Sequence, residues 1–335
     1  KAMMTTNKIS ETTRLQWVGK ALKWIILGTL GIALVLGFIP VSKEGLPAHP
    51  NPVTDYESAA AQINKIMDAE KGVVRESCYT RFMTHGEKTE RVYVLFHGLT
   101  NSPRQFVELG ELLYEKGYNV FIPLAPPHGL IGADVGALKD ISPEGMAIFT
   151  DQMLDIAGGL GDEVHVIGLS AGGTMAAWSI QNRPDLTRVM LMAPMFGMGR
   201  LPNFLNFFMI NLFTRAPNIN FASPTEPYRD HAYRGQSSRG VAEVMHFGAT
   251  IFTQANSTAP VVTEVILVTN ANDHTVNNAN TKTLVDIWEN SSTDLDITRY
   301  EFPASLGLPH SLVDVSEPDT DIDLVNAKIL ELLGE

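Results

Sequence analysis

The stretch DEVHVIGLSAGGTMAAWSIQN, from Asp162 to Asn182, decides the fold. Its first part, with Val164, Val166, Ile167 and Leu169, has the apolar, β-branched character of a buried strand, and its second part, from Ala171, reads as a helix. At the junction lies Gly168-Leu169-Ser170-Ala171-Gly172, the pattern G-x-S-x-G. A sharp strand-to-helix turn presents the central serine outward, and glycines two residues either side let strand and helix approach without a side chain colliding. The helix N-terminus behind Ser170 offers N–H groups and a positive dipole end to a developing oxyanion. Ser170 is the candidate nucleophile, and the Ala171 N–H a candidate oxyanion donor.

Further βα units flank this one. Arg91 to Gly98 and Tyr118 to Leu124 read as strands, separated by a helical pattern from Pro103 to Gly117. A helix capped by Ser142 precedes the central strand; strands TRVMLMAP, EVILVTNAND and ITRYEFP and a last helix, DIDLVNAKILELLG, follow. Strands separated by helices imply a doubly wound, mostly parallel sheet. The length of 335 residues and an apolar content of 44% suit one large α/β domain with an insertion.

A serine hydroxyl needs a base, and the base needs an orienting carboxylate. On a sheet of this kind the chain order is nucleophile, acid, histidine. Asp273 follows a late strand; its competitors are Asp286, inside a predicted helix, and Asp296, at the start of the next strand. His310 follows the last strand, whereas the other eight histidines precede the acid, stand beside it or lie within other elements. In Phe96-His97-Gly98-Leu99-Thr100, Gly98 lets the backbone turn so that the Leu99 N–H faces the site as a second oxyanion donor. His97, before the nucleophile in the chain, is expected to shape this loop rather than to react.

HGLTNSP, GLSAGG, NANDHTVN and LPHSLVD, in this order, resemble the α/β-hydrolase superfamily, most of all its bacterial carboxylesterases and monoacylglycerol lipases. The likeness covers about residues 85–335. It implies an α/β-hydrolase fold with an inserted cap and a serine esterase working through an acyl-enzyme. Ser170 would be its nucleophile, Asp273 its acid and His310 its base, with Leu99 and Ala171 as oxyanion donors. An acyltransferase or a serine peptidase can use the same triad, and a non-catalytic binding protein can share the fold.

Between Pro194 and about Thr258 the βα alternation lapses, and eight of the 15 phenylalanines gather there. This is the expected cap, about 194–258, with Phe204, Phe207 and Phe208 as its substrate-binding wall for medium-chain acyl or glycerol esters.

The other end of the chain is different. Residues 1–23 form a basic tail, with five Lys or Arg against one Glu, before the uncharged run from Trp24 to Ser42. As a helix that run spans about 28 Å, close to a bilayer's hydrocarbon thickness. It is expected to be a transmembrane anchor with the N-terminus cytoplasmic and the catalytic domain outside, a cleaved signal being the alternative. Residues 43–57, rich in proline, read as a tether to the domain at 58–335.

A net charge of -12 argues against nucleic acid as a partner. The single cysteine, Cys78, excludes an intrachain disulfide framework and a cysteine zinc site. Asp319, Asp321 and Asp323 alternate, but a calcium loop would need Gly at its sixth position. The glycines around Ser170 do not fit a dinucleotide fingerprint. No metal or cofactor is therefore expected; an ester substrate and a membrane are, and the oligomeric state stays open.

Overall fold

The computed structural model describes residues 11–199, 201–221, 223 and 228–335. The chain runs through α1 (Glu11–Phe38), α2 (Tyr56–Glu70), β1 (Arg81–Met83), β2 (Thr89–Phe96), α3 (Val107–Glu115) and β3 (Asn119–Ile122). It continues with α4 (Pro143–Ala157), β4 (Gly161–Leu169), α5 (Ala171–Asn182), β5 (Arg188–Met192) and α6 (Asn203–Phe213). After the short hairpin β6 (Asn220–Phe221) and β7 (Gln236–Ser237) come α7 (Ser238–Ala255), β8 (Glu264–Asn270), α8 (Asn278–Ser291), β9 (Asp296–Phe302) and α9 (Ile322–Leu333).

Among the described residues the main sheet has seven strands in the order β1-β3-β2-β4-β5-β8-β9, parallel except for the edge pair β1 and β3. The register brings Phe96 level with Gly168, Leu169 with Met192, and Met192 with Val268. The loops after β2, β4 and β8 thus leave the same edge of the sheet, where α/β folds bind ligands. Strand β1 was not legible in the sequence, because three half-buried residues carry too little periodicity.

The Gly-x-Ser-x-Gly turn is as tight as its glycines imply. A Cβ on Gly168 would lie 2.1 Å from the Gly172 carbonyl oxygen, and one on Gly172 would lie 1.9 Å from that of Phe96. No side chain fits at either position.

The N-terminal helix differs from its expected limits. It continues from Glu11 to Phe38 and ends before Pro40, which lacks an N–H and disfavours helical backbone at Ile39. Residues 39–42, assigned to the span from their composition, are not helical. Within Leu15–Phe38 an 18-residue stretch has a mean hydropathy of 2.0 and only 6% of it is buried, so the helix is long and apolar enough to cross a membrane.

Its C-terminal end is held by α6. The Asn211 side chain donates to the Gly37 carbonyl at 3.0 Å and accepts from the Val41 N–H at 3.1 Å. The Arg215 guanidinium donates to the carbonyls of Ile39 and Pro40 at 2.6 and 2.9 Å. Phe208 meets Phe38 edge to face at 5.5 Å.

The proline-rich stretch is likewise laid onto the domain instead of hanging free. The Trp178 indole donates to the Leu46 carbonyl at 2.6 Å, and the N–H groups of His49 and Asn51 reach the carboxylates of Asp151 and Asp155 at 2.8 and 3.0 Å. Those carboxylates are aimed by the buried Arg183, 2.7 and 2.9 Å from them. Prolines remove donors, but the remaining N–H groups of an extended strand can still bond outward.

Candidate active site

Ser170 sits between β4 and α5 at φ +57° and ψ -115°, a conformation few residues other than glycine adopt. Its backbone is held on both sides: the N–H donates to Met192 O at 3.0 Å, and its carbonyl accepts from Thr174 and Met195. The neighbouring chain over-determines the strained turn. The loop after β2 comes close, since a Cβ on Gly98 would stand 3.5 Å from that of Ser170. The Gly98 N–H is bonded to Gln105 Oε1 at 2.8 Å, which sets the direction of the following Leu99 peptide. Ala171 is the first residue of α5, where helix N–H groups lack intrahelical partners.

The loop after β8 carries Asp273 to His310. Asp273 Oδ2 lies 2.6 Å from His310 Nδ1, while Oδ1 accepts from the N–H groups of Thr275 and Val276 at 2.7 and 3.3 Å. Burial alone would raise this carboxyl, but the bonds from His310 and the two N–H groups outweigh it and hold the pKa below its usual value. Asn270, the last residue of β8, and Asn272, on the loop after it, donate to Leu308 O at 2.9 and 3.1 Å. They fix the backbone before His310. His310 Nε2 is buried and makes no hydrogen bond among the described residues. Ser170 and His310 line the same cavity, of about 910 Å³.

His97 and His128 do not line that cavity as bases. The Ala125 N–H donates to His97 Nε2 at 3.0 Å, and His97 Nδ1 lies 2.9 Å from Gly98 O, so this imidazole braces the Gly98 turn. Burial brings the pKa of His97 down to about 4 and that of His128 to about 3, leaving both neutral near pH 7.

The profile of the family described as serine aminopeptidase, S33 (Hydrolase_4) matches residues 87–301, well over half of the chain. The chain belongs to this family. Within the Hydrolase_4 match lie Leu99, Ser170, Ala171 and Asp273, whereas His310 falls just after it. A thermostable monoacylglycerol lipase of Bacillus sp. (strain H-257) is 26% identical over 129 residues, 34% of this chain. The match spans about half, 48%, of that relative's length. Among solved structures, that of a soluble variant of the monoglyceride lipase of Saccharomyces cerevisiae superposes with a TM-score of 0.55 at 14% identity, over 76% of this chain and 90% of that one. The structure of Paleococcus ferrophilus monoacylglycerol lipase gives 0.56 at 18% identity, over 76% of this chain and 97% of that one. A structure reported with the metagenome-derived lipolytic enzymes LipS and LipT gives 0.57 at 16% identity, over 78% and 99%. At these identities the superpositions show a shared α/β-hydrolase fold.

In this Hydrolase_4 chain the cavity wall corrects the expectation for the cap. Phe204, Phe207 and Phe208 do not line it: Phe204 is 68% exposed, Phe207 lies under the Lys43 ammonium at 4.0 Å, and Phe208 packs on α1. Met209 and Phe213 line it from α6, with Met195, Phe221, Val241 and Met245 from neighbouring segments. The apolar sequence of α6 offers two usable faces; Phe208 and Asn211 turn to α1, and Met209 and Phe213 turn to the cavity. Helix α7 also departs from the expected cap, since it packs against α4 and α5 as part of the domain's helical layer. The short side chains that brace the loops, Gln105, Asn270 and Asn272, were missed because their role depends on contacts across the chain.

Proposed function

We propose that the chain is a serine ester hydrolase that works through an acyl-enzyme. The observation that carries this reading is the 2.6 Å contact between His310 Nδ1 and Asp273, with His310 and the strained Ser170 lining one cavity. His310 Nε2 takes the Ser170 Oγ proton as Oγ attacks the ester carbonyl carbon. The N–H groups of Leu99 and Ala171 receive the oxyanion, and each such donor is worth about 3–4 kcal/mol of barrier. Collapse breaks the bond to the alcohol oxygen, which leaves with the proton from His310. Water then repeats the attack and frees the acid. Asp273 holds the imidazole with its Nδ1–H toward the carboxylate and stabilises its cation.

The cavity supports an acyl chain as the substrate's larger part, and monoacylglycerol or medium-chain esters fit the names of the similar lipases. An aminopeptidase reading needs a partner for a substrate's α-ammonium. The carboxylate that lines the cavity, Glu317, is already bonded to Arg229. We read the helix Leu15–Phe38 as a retained anchor, the basic residues before it on the cytoplasmic side. A fluorophosphonate probe should label the wild-type chain and not Ser170→Ala. Steady-state hydrolysis of glycerol and p-nitrophenyl esters, beside aminoacyl amides, tests the substrate class. Amide cleavage without ester cleavage would defeat the reading. A mature N-terminus found after residue 38 in native cells would replace the anchor by a cleaved signal.

A further inference from the structure

The carboxylate of Asp314 takes no part in the reaction above, yet three parts of the site meet on it. It is 2% exposed and lies four residues beyond His310. Oδ2 accepts from the Asn101 side-chain amide at 2.7 Å, and Oδ1 accepts from the Ser316 hydroxyl and N–H at 2.5 and 3.0 Å. From the cap side, His231 Nε2 and Arg229 Nη1 stand 3.5 and 3.7 Å from Oδ2. Burial opposes ionisation, but the bonds from His231, Ser316 and Asn101 prevail and keep the group charged far below the ordinary carboxylate range.

Asn101 is itself buried, two residues after Leu99. Its N–H donates to Gly98 O at 3.2 Å, and its Oδ1 accepts from the Ser102 N–H at 2.9 Å. Between Leu99 and Asn101, Thr100 stands at φ +73°, the left-handed region that a β-branched residue avoids. A turn of this kind persists only where its surroundings hold it. Here the holds are the Tyr233 N–H, bonded to Thr100 O at 2.7 Å, and the charge-assisted bond from Asn101 to Asp314.

From this juxtaposition we propose that Asp314 is a positioning residue which, through Asn101, fixes the Gly98–Ser102 turn and so aims the Leu99 N–H at the oxyanion. The proposal rests on the ester-hydrolase reading. An oxyanion donor is effective only if its direction is set before the charge develops. The histidine loop thereby holds the donor loop, and the two halves of the machinery cannot drift apart independently.

Asn101→Ala removes the tie and leaves Asp314 its other partners. On a soluble p-nitrophenyl ester, kcat should fall about 10- to 100-fold with KM changed less than about threefold, since a misaimed donor is felt in the transition state. Affinity for an alkyl boronate, which forms a tetrahedral adduct on serine, should fall by a similar factor. Asp314→Asn should act alike, and the double variant should be no worse than the poorer single. Asn101→Ser, too short to reach Asp314, serves if the alanine variant does not fold. Wild-type kcat in folded Asn101 variants, or losses that multiply in the double variant, would overturn the proposal. Ser170→Ala in the same assay separates the two readings. Hydrolysis persisting there defeats the esterase itself, whereas hydrolysis lost there but intact in Asn101→Ala defeats only the role of Asp314.

Discussion

At Ser170 the backbone spends conformational energy to aim a side chain. A φ of +57° costs a non-glycine residue on the order of 1–3 kcal/mol, offset by the bonds to Met192, Thr174 and Met195. If Ser170, Asp273 and His310 act as a unit, Ser170→Ala, His310→Ala and Asp273→Asn should each lower kcat by about 10⁴-fold or more, and the double variants should lose little further. Full hydrolysis by any of the three singles, measured against a mock purification, would break the assignment. The buried carboxylates also predict the response to acid. Asp273 and Asp314 both titrate below the ordinary value in the folded chain, so on acidification the unfolded chain takes up their protons first. Their stabilisation is complete above pH ~4 and is lost as pH falls through the folded values. Asp314→Asn should therefore be less stable than wild type at pH 7, with a smaller further loss toward pH 3, as read from Tm across that range.

Helix α6 is the element whose role depends most on its neighbours. Phe204, Phe207, Phe208 and Asn211 recur at helical spacing and form one face, continued by Arg215 just past the helix, which meets α1, the segment after it and solvent. Met209 and Phe213 form the opposite face, over the cavity. Each substrate methylene buried there is worth about 0.8 kcal/mol, so kcat/KM should rise by about fourfold per methylene until the cavity is filled. Met209→Ser and Phe213→Ser should flatten that rise, whereas Phe204→Ser should leave it intact. A series of acyl esters of graded length decides the matter: a slope altered by Phe204→Ser and not by Phe213→Ser would place the acyl chain on the wrong face. Met209 and Phe213 could not be separated from Phe204, Phe207 and Phe208 by composition, because an 11-residue helix this apolar carries no polar stripe to orient it.

Over the whole molecule, helix α1, the proline-rich segment and the domain form a connected assembly. Removing residues 1–38 should yield a soluble, active enzyme, because the excised helix is almost wholly exposed. Removing residues 1–55 should cost more. It breaks the bonds of Leu46, His49, Asn51 and Val53 to the domain and leaves Asp151, Asp155 and Trp178 short of partners. At about 1 kcal/mol for each of these four bonds and about 2–4 °C per kcal/mol, Tm should drop by roughly 10 °C relative to the shorter truncation. Equal melting temperatures would mean that the segment rests on the domain without stabilising it. Sequence alone determined the alternation of strands and helices, the tight turn at Ser170, and the chain order of Ser170, Asp273 and His310. Each rests on local periodicity, on the small size of glycine, or on which loop follows which strand. Tertiary structure decided which face of α6 looks inward, that the proline-rich segment is docked, and that Asn101 and Asp314 meet across more than 200 residues of chain. These depend on the approach of segments distant in sequence, and no local propensity encodes which of two equally apolar faces, or which buried amide and carboxylate, will find each other.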